Sequence, residues 1–117
     1  MAVTEFDTIS AVTISTTEIS ILTGTSTLTD STTAGCYQLF VDGVAAGVAK
    51  GDVFEIRVLE KVLSAGTRRE IFSARMNGPQ TQPFVTPPLM LLNGWNMTLK
   101  KISGTDRAFD ASIRKAG

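Results

Sequence analysis

The sequence predicts an all-β chain, an antiparallel β-sandwich of jelly-roll type. Three observations carry that reading. Apolar and polar residues alternate with period two, as in Phe54, Ile56 and Val58 or in Trp95, Met97 and Leu99, and that period belongs to half-buried strands. The alternating runs are separated by short polar turns rich in Gly, Asn, Asp and Ser, which leave little room for a helix. The Cys–Trp–Cys spacing of immunoglobulin domains is missing, which favours a jelly roll among the sandwiches. A small closed β-barrel is the alternative, because alternation does not decide connectivity.

The elements follow in order. Residues 1–33 contain 16 Ser or Thr and no Pro. Their isoleucines and valines anchor short strands over 11–16 and 18–22, followed by a loop over 23–34. The other reading of 1–33 is an extended arm that orders on a neighbour. Residues 36–41 form a near-continuously apolar strand ended by Asp42-Gly43. Within it Cys36 is expected in the core. The run 44–50 holds a central Gly47 and nucleates a helix poorly, so it reads as a loop.

The next two strands form a hairpin. Phe54, Ile56, Val58, Glu60 and Val62 share one face, and Glu70, Phe72, Ala74 and Met76 share the other strand's matching face. A three-residue loop, Ala65-Gly66-Thr67, sets Val62 opposite Glu70, Val58 opposite Ala74 and Ile56 opposite Met76. On the reverse side Leu59, Ile71, Val53 and Leu63 sit among charged residues, a face that packs under a loop or the N-terminal segment, or meets another subunit. The stretch through Pro79, Pro83, Pro87 and Pro88 is loop or sheet edge, since proline donates nothing to a ladder. Asn93-Gly94 reads as a type I′ hairpin that pairs 89–92 with the strand beginning at Trp95. Trp95, Met97 and Leu99, then Phe109, Ala111 and Ile113 across a Ser-Gly-Thr-Asp break, read as two antiparallel strands that close the domain with Trp95 in the core.

Composition narrows the function. At 117 residues the chain makes one domain spanning 1–117, with 43% hydrophobic and 19% charged residues. Glu5 and Asp7 stand where a signal peptide carries basic residues, so neither secretion by that route nor a membrane span is expected. No histidine is present and Cys36 is the lone cysteine, which removes the usual general base, the usual zinc ligands and any intrachain disulfide. No catalytic, cofactor or metal site is predicted. The carboxylate pairs Asp106 with Asp110 and Asp52 with Glu55 are more simply turn and surface residues. Net charge is zero, yet residues 1–49 hold five acids and no base, while all 11 bases fall from Lys50 onward against 6 acids. Such halves attract, as two faces of one domain or as an acidic surface meeting a neighbour's basic one. The bases are dispersed and lack aromatic stacking partners, so nucleic acid is not an expected partner.

The run GWNMTLKKISGTDRAFDASIRK from Gly94 to Lys115 resembles the C-terminal ends of small structural proteins of tailed phages, in which G-W-[DN]-x-T-L-K-K-x-x-G-T-x-R leads into a final S-I-R strand. YQLFVDG and GDVFEIRVLEKV resemble them moderately, and the N-terminal third hardly does. The resemblance implies a non-enzymatic virion protein made in the host cytoplasm. It implies most specifically a head decoration or capsid-stabilising protein that binds the major capsid protein as a homo-oligomer, with a trimer favoured. Leu59 and Ile71, and an intersubunit ion pair through Arg107 and Arg114, are the interface candidates. A tail, adaptor or fibre component and a carbohydrate-binding β-sandwich module are the alternatives.

Overall fold

The computed structural model describes residues 2–116. Among them no helix forms, and nine strands build two antiparallel sheets. The strands are β1 (Val3–Ile14), β2 (Ile19–Ser20), β3 (Gly35–Val41), β4 (Val53–Lys61), β5 (Arg68–Asn77), β6 (Phe84–Val85), β7 (Leu89–Leu91), β8 (Trp95–Ser103) and β9 (Arg107–Ala116). One sheet runs β1-β9-β3, with β6 and β7 both on the outer edge of β3; the other runs β2-β8-β4-β5. Two separate sheets packed face to face make a sandwich of the jelly-roll kind and not a closed barrel.

The inward residues of both sheets meet in one core. Tyr37, Leu39, Val41, Phe109 and Ile113 come from the first sheet, and Phe54, Ile56, Val58, Trp95, Met97 and Leu99 from the second; all are fully buried. Two aromatic pairs span the gap. Tyr37 and Trp95 have ring centroids 4.4 Å apart, and Phe54 meets Phe109 edge-on at 4.7 Å. Phe6 closes the first pair, 5.2 Å from Tyr37. The polar tips stay satisfied, because the Tyr37 hydroxyl and the Trp95 Nε1 both donate to the Thr33 carbonyl, at 2.7 and 3.1 Å.

Several expectations are corrected. β8 and β9 do not pair with each other: β8 lies between β2 and β4, and β9 between β1 and β3. Their inward faces oppose across the core, and the break after Ser103 is a crossover between sheets. Asn93-Gly94 likewise switches sheets, carrying the chain from β7 on β3 to β8. Gly94 has the expected positive φ of 81°. Yet Leu89–Leu91 has no access to β8, since Ser31 and Glu60 are the cross-strand partners of Trp95. The β4–β5 hairpin has a six-residue loop, 62–67, with Val58 opposite Phe72 and Ile56 opposite Ala74. That register is two residues from the expected one. An even shift keeps every side chain on its face, so alternation cannot distinguish the two. Val62 therefore leaves the core face and is exposed.

Near the N-terminus, β1 begins at Val3, eight residues before the expected strand. Its inward residues Phe6, Ile9, Val12 and Ile14 recur at three, three and two, because register shifts fall between Glu5 and Asp7 and between Ile9 and Val12. Each bulge adds a residue and hides the period. Ala11, at φ 51°, takes the left-handed position of the second bulge, where its N–H donates to Asp110 Oδ1 at 2.7 Å. Cys36 lies on the outward face of β3, half-buried, and not in the core.

Residues 15–34 run along β8 and lay side chains over its outer face, which is why Asn96 and Thr98 are buried on the side of β8 away from the core, while Arg69, Ile71, Ser73 and Arg75 on β5 stay exposed. Asn96 accepts from Ser20 Oγ at 2.7 Å and donates to the Thr29 carbonyl at 3.1 Å. The Thr98 hydroxyl donates to Glu18, whose carboxylate also receives Arg57 at 2.8 Å. Arg57 further donates to Glu70, and Arg68 meets Asp30 at 2.5 Å. Burial works against the charge on Arg57, but its bonds to Glu70 and Glu18 outweigh it and raise the guanidinium pKa.

A charge placed at Val58, fully enclosed between the sheets, should be among the most damaging single changes. Val58→Asp is expected to cost at least about 3 kcal/mol in urea unfolding, or to abolish folding. Asn96→Ala strands the Ser20 hydroxyl beneath its cover and should cost about 1–3 kcal/mol by the same measurement, with the sheet intact by circular dichroism.

Candidate binding groove

The outer face of the first sheet, β1-β9-β3, is open. Its outward residues include Glu5, Thr8 and Ser10 from β1, Asp110, Ser112 and Arg114 from β9, and Phe40 from β3. They line a depression of about 380 Å³. A second one, of about 520 Å³, continues from Phe40 over Pro83, Phe84 and Val85 to Gln80 and Gln82. The two share Phe40 and Pro83, so they form one groove with an aromatic and aliphatic floor and a polar wall.

The wall is mainly acidic. Glu5, Asp42 and Asp110 face a single cation, Arg114. Arg114 lies flat over the Phe40 ring, its guanidinium carbon 3.8 Å from the ring centroid. Glu5 accepts from Ser112 Oγ at 2.7 Å, and Asp42 accepts from the Ala45 N–H at 2.9 Å. The wall is thus held in place by local hydrogen bonds that leave carboxylate capacity toward the groove. β6 and β7 shape the other rim. Pro87 and Pro88 donate nothing to β3, and Thr86 between the two short strands compensates: its hydroxyl accepts the Leu39 N–H at 2.9 Å and its own N–H donates to the Leu39 carbonyl at 3.0 Å.

The four interface candidates do not come together. Leu59 sits opposite Asn96 on the face of β4 turned away from the core and is only 4% exposed there, which leaves it no area for a neighbour. Ile71 stands 42% exposed on β5, the outer edge of the second sheet. Arg107 is committed within the chain, donating to Asp52 Oδ2 at 2.9 Å. Arg114 alone belongs to the groove, resting on Phe40 and not in an ion pair. Phe40, Glu5 and Asp110 are the groove residues that sequence reasoning missed. The signal for Phe40 was the alternation of Tyr37, Leu39 and Val41, which turns its neighbours outward.

The carboxylates weighed for catalysis each have another task. Asp106 binds Lys101 at 2.5 Å, Asp110 caps the β1 bulge, and Glu55 lies between Arg75 and Lys100. Asp52 pins the β8–β9 crossover to the start of β4. It accepts the N–H groups of Thr105 and Ala49 at 2.9 and 3.0 Å. Those two bonds, joined by Arg107 and opposed by burial, hold its carboxyl below the ordinary range. Gly104 has φ 92°, and a Cβ there would sit 2.6 Å from the Asp52 Cα, so only glycine fits the crossover.

No described protein family matches the sequence, and no curated protein does. Among solved structures, the mitogen of Yersinia pseudotuberculosis matches with a TM-score of 0.53 at 13% identity, over 98% of this chain and 86% of that one. That likeness places the chain among all-β sandwiches of the same general build. A xylan-binding domain of carbohydrate-binding family 22 matches with a TM-score of 0.43 at 15% identity, over 85% of this chain and 64% of that one. A two-module piece of xylanase 10B from Clostridium thermocellum matches with 0.45 at 14%, over 75% and 17%.

The Asp52 anchor has a defined pH signature. A carboxyl with a lower pKa folded than unfolded contributes stability above the unfolded value, about 4, and loses it as pH falls through the folded value. Asp52→Asn should therefore be less stable than the parent at pH 7, and the gap should narrow below about pH 4. Urea unfolding across that range checks it.

Proposed function

We propose that this chain is a non-enzymatic binding protein, a structural component of a tailed-phage virion that decorates and stabilises the assembled head shell. The observation that supports this reading is where the resembling segments lie. GDVFEIRVLEKV covers β4, and GWNMTLKK to SIRK covers β8 and β9, strands that supply half of the buried core and the crossover between β8 and β9. A resemblance concentrated in the frame implies the same scaffold. The weakly resembling N-terminal third supplies β1 and the cover over β8, surfaces that differ where partners differ.

The mechanism is mass action. A chain that binds the assembled shell and not its dissociated parts stabilises the shell by RT ln(1 + [L]/Kd), about 2.7 kcal/mol per site at a hundredfold excess over Kd. Repeated over a lattice, modest contacts suffice. Mass spectrometry of purified particles should find the chain in stoichiometric amounts, and adding it to shells that lack it should raise their melting temperature to a saturable plateau. Particles without the chain, or shells whose melting does not respond, overturn the reading.

Carbohydrate binding is the second reading, favoured by one feature: an open groove with hydroxyls and carboxylates beside a ring. Trp95 and Tyr37 are wholly buried, however, and the exposed side of Phe40 is taken by Arg114. A sugar stacking there would have to displace the guanidinium. Glycan-array binding that is lost in Phe40→Ala would establish this reading in place of the first.

A further inference from the structure

We propose that the acidic groove of β1-β9-β3 receives the β4–β5 loop of a second copy of this chain, joining copies head to tail. The first ground is a sorting of charge. Two acids of the N-terminal half, Glu18 and Asp30, are paired within the chain with Arg57 and Arg68. Among the described residues, Glu5, Asp42 and Asp110 have no Lys or Arg nitrogen within 4.0 Å, and all three line the groove. Three carboxylates face one guanidinium, so the groove favours a cationic occupant.

The second ground is the loop. Residues 62–67 are all exposed, and Val62 and Leu63 lead them at 76% and 72%. The Gly66 N–H donates to the Leu63 carbonyl at 2.8 Å, which folds the loop into a turn with those two side chains outward. Asn93 Nδ2 braces its base on the Val62 carbonyl at 2.9 Å, and exposed Leu92 extends the apolar tip. Lys61 and Arg69 flank it, and neither is in an ion pair among the described residues. An apolar tip between two cations matches an apolar floor of Phe40 and Val85, paired with each other on the outward face, beneath an acidic wall.

The third ground is position. The groove opens beside Val41 and Asp42, at the end of the molecule where β4 starts, whereas the loop follows the last residue of β4. β4 is nine residues long, about 27 Å, and the loop lies at its far end from Asp42, whose neighbour Gly43 packs against Met76 opposite Phe54. The loop therefore cannot fill its own groove. Because the surfaces differ, the contact is heterologous and yields a ring if the rotation closes. The inference deepens the decoration reading by naming the contact that makes the oligomer, and the two fail separately. A monomer that still binds shells overturns only the inference; an oligomer that ignores shells overturns only the reading.

The test uses the full chain in sedimentation velocity over about 1 μM to 1 mM. Two variants at exposed sites preserve the fold, checked by circular dichroism: V62D/L63D in the loop and Val85→Lys in the groove. The parent should form a closed oligomer, and each variant alone should associate at least about tenfold more weakly. Mixed one to one, they should form a heterodimer and nothing larger, because only one intact loop and one intact groove remain. High salt should weaken all of these contacts. A parent that stays monomeric, variants that assemble as the parent does, or a mixture that stays monomeric would each overturn the proposal.

Discussion

The packing of rings across the gap between the sheets is the constraint on which the rest depends. Tyr37 against Trp95 and Phe54 against Phe109 each join one strand of either sheet. Because β3 pairs with β9 and β4 with β8, the two ring pairs hold β8 and β9 in opposite layers. That placement turns what looks like a terminal hairpin into a crossover, and the crossover in turn needs Asp52 to hold Thr105 and Arg107. The interior thereby dictates the connectivity, and the connectivity leaves β9 and β8 central in their sheets with no open edge of their own.

The two outer faces then meet different fates. Over β8 the N-terminal segment supplies Ser20, Thr29 and Glu18 as partners for Asn96 and Thr98, polar side chains that would otherwise be exposed. Hydrogen bonding seals that face beside the buried Leu59. The bonds from Arg57 and Arg68 to Glu18 and Asp30 consume acid from the N-terminal half and base from the C-terminal half. Part of the charge asymmetry is thus internal. What remains is concentrated on the opposite side, in a groove whose carboxylates are oriented by Ser112 and by the backbone of Ala11 and Ala45.

Glu18, Asp30, Asp52 and Asp106 pair with cations, and the rings of Tyr37, Phe54, Trp95 and Phe109 are committed to the core. The molecule's unsatisfied features are an acidic groove at one end and an apolar, cation-flanked loop at the other. For a protein proposed to work by occupying many equivalent places on a shell, complementary ends on one small scaffold are an economical arrangement.

The sequence by itself determined the class and the inward set. Period-two alternation marked Phe54, Ile56, Val58, Trp95, Met97, Leu99, Phe109 and Ile113, and all eight are buried. It also showed the prolines at an edge and a positive φ at Gly94. Alternation reports only which way a side chain faces, so it was silent on what the strands face. It could not separate a hairpin at Asn93-Gly94 from a sheet switch, nor two β4–β5 registers of equal parity. It failed outright along β1, where bulges replaced the period. The groove was out of reach for the same reason. Phe40, Glu5 and Asp110 lie on three strands far apart in sequence, and only the pairing of β9 with both β1 and β3 puts them on one surface. Tertiary structure made that choice because strand neighbours are selected by the fit of whole faces across the core, a property of the assembled layers and not of any one segment.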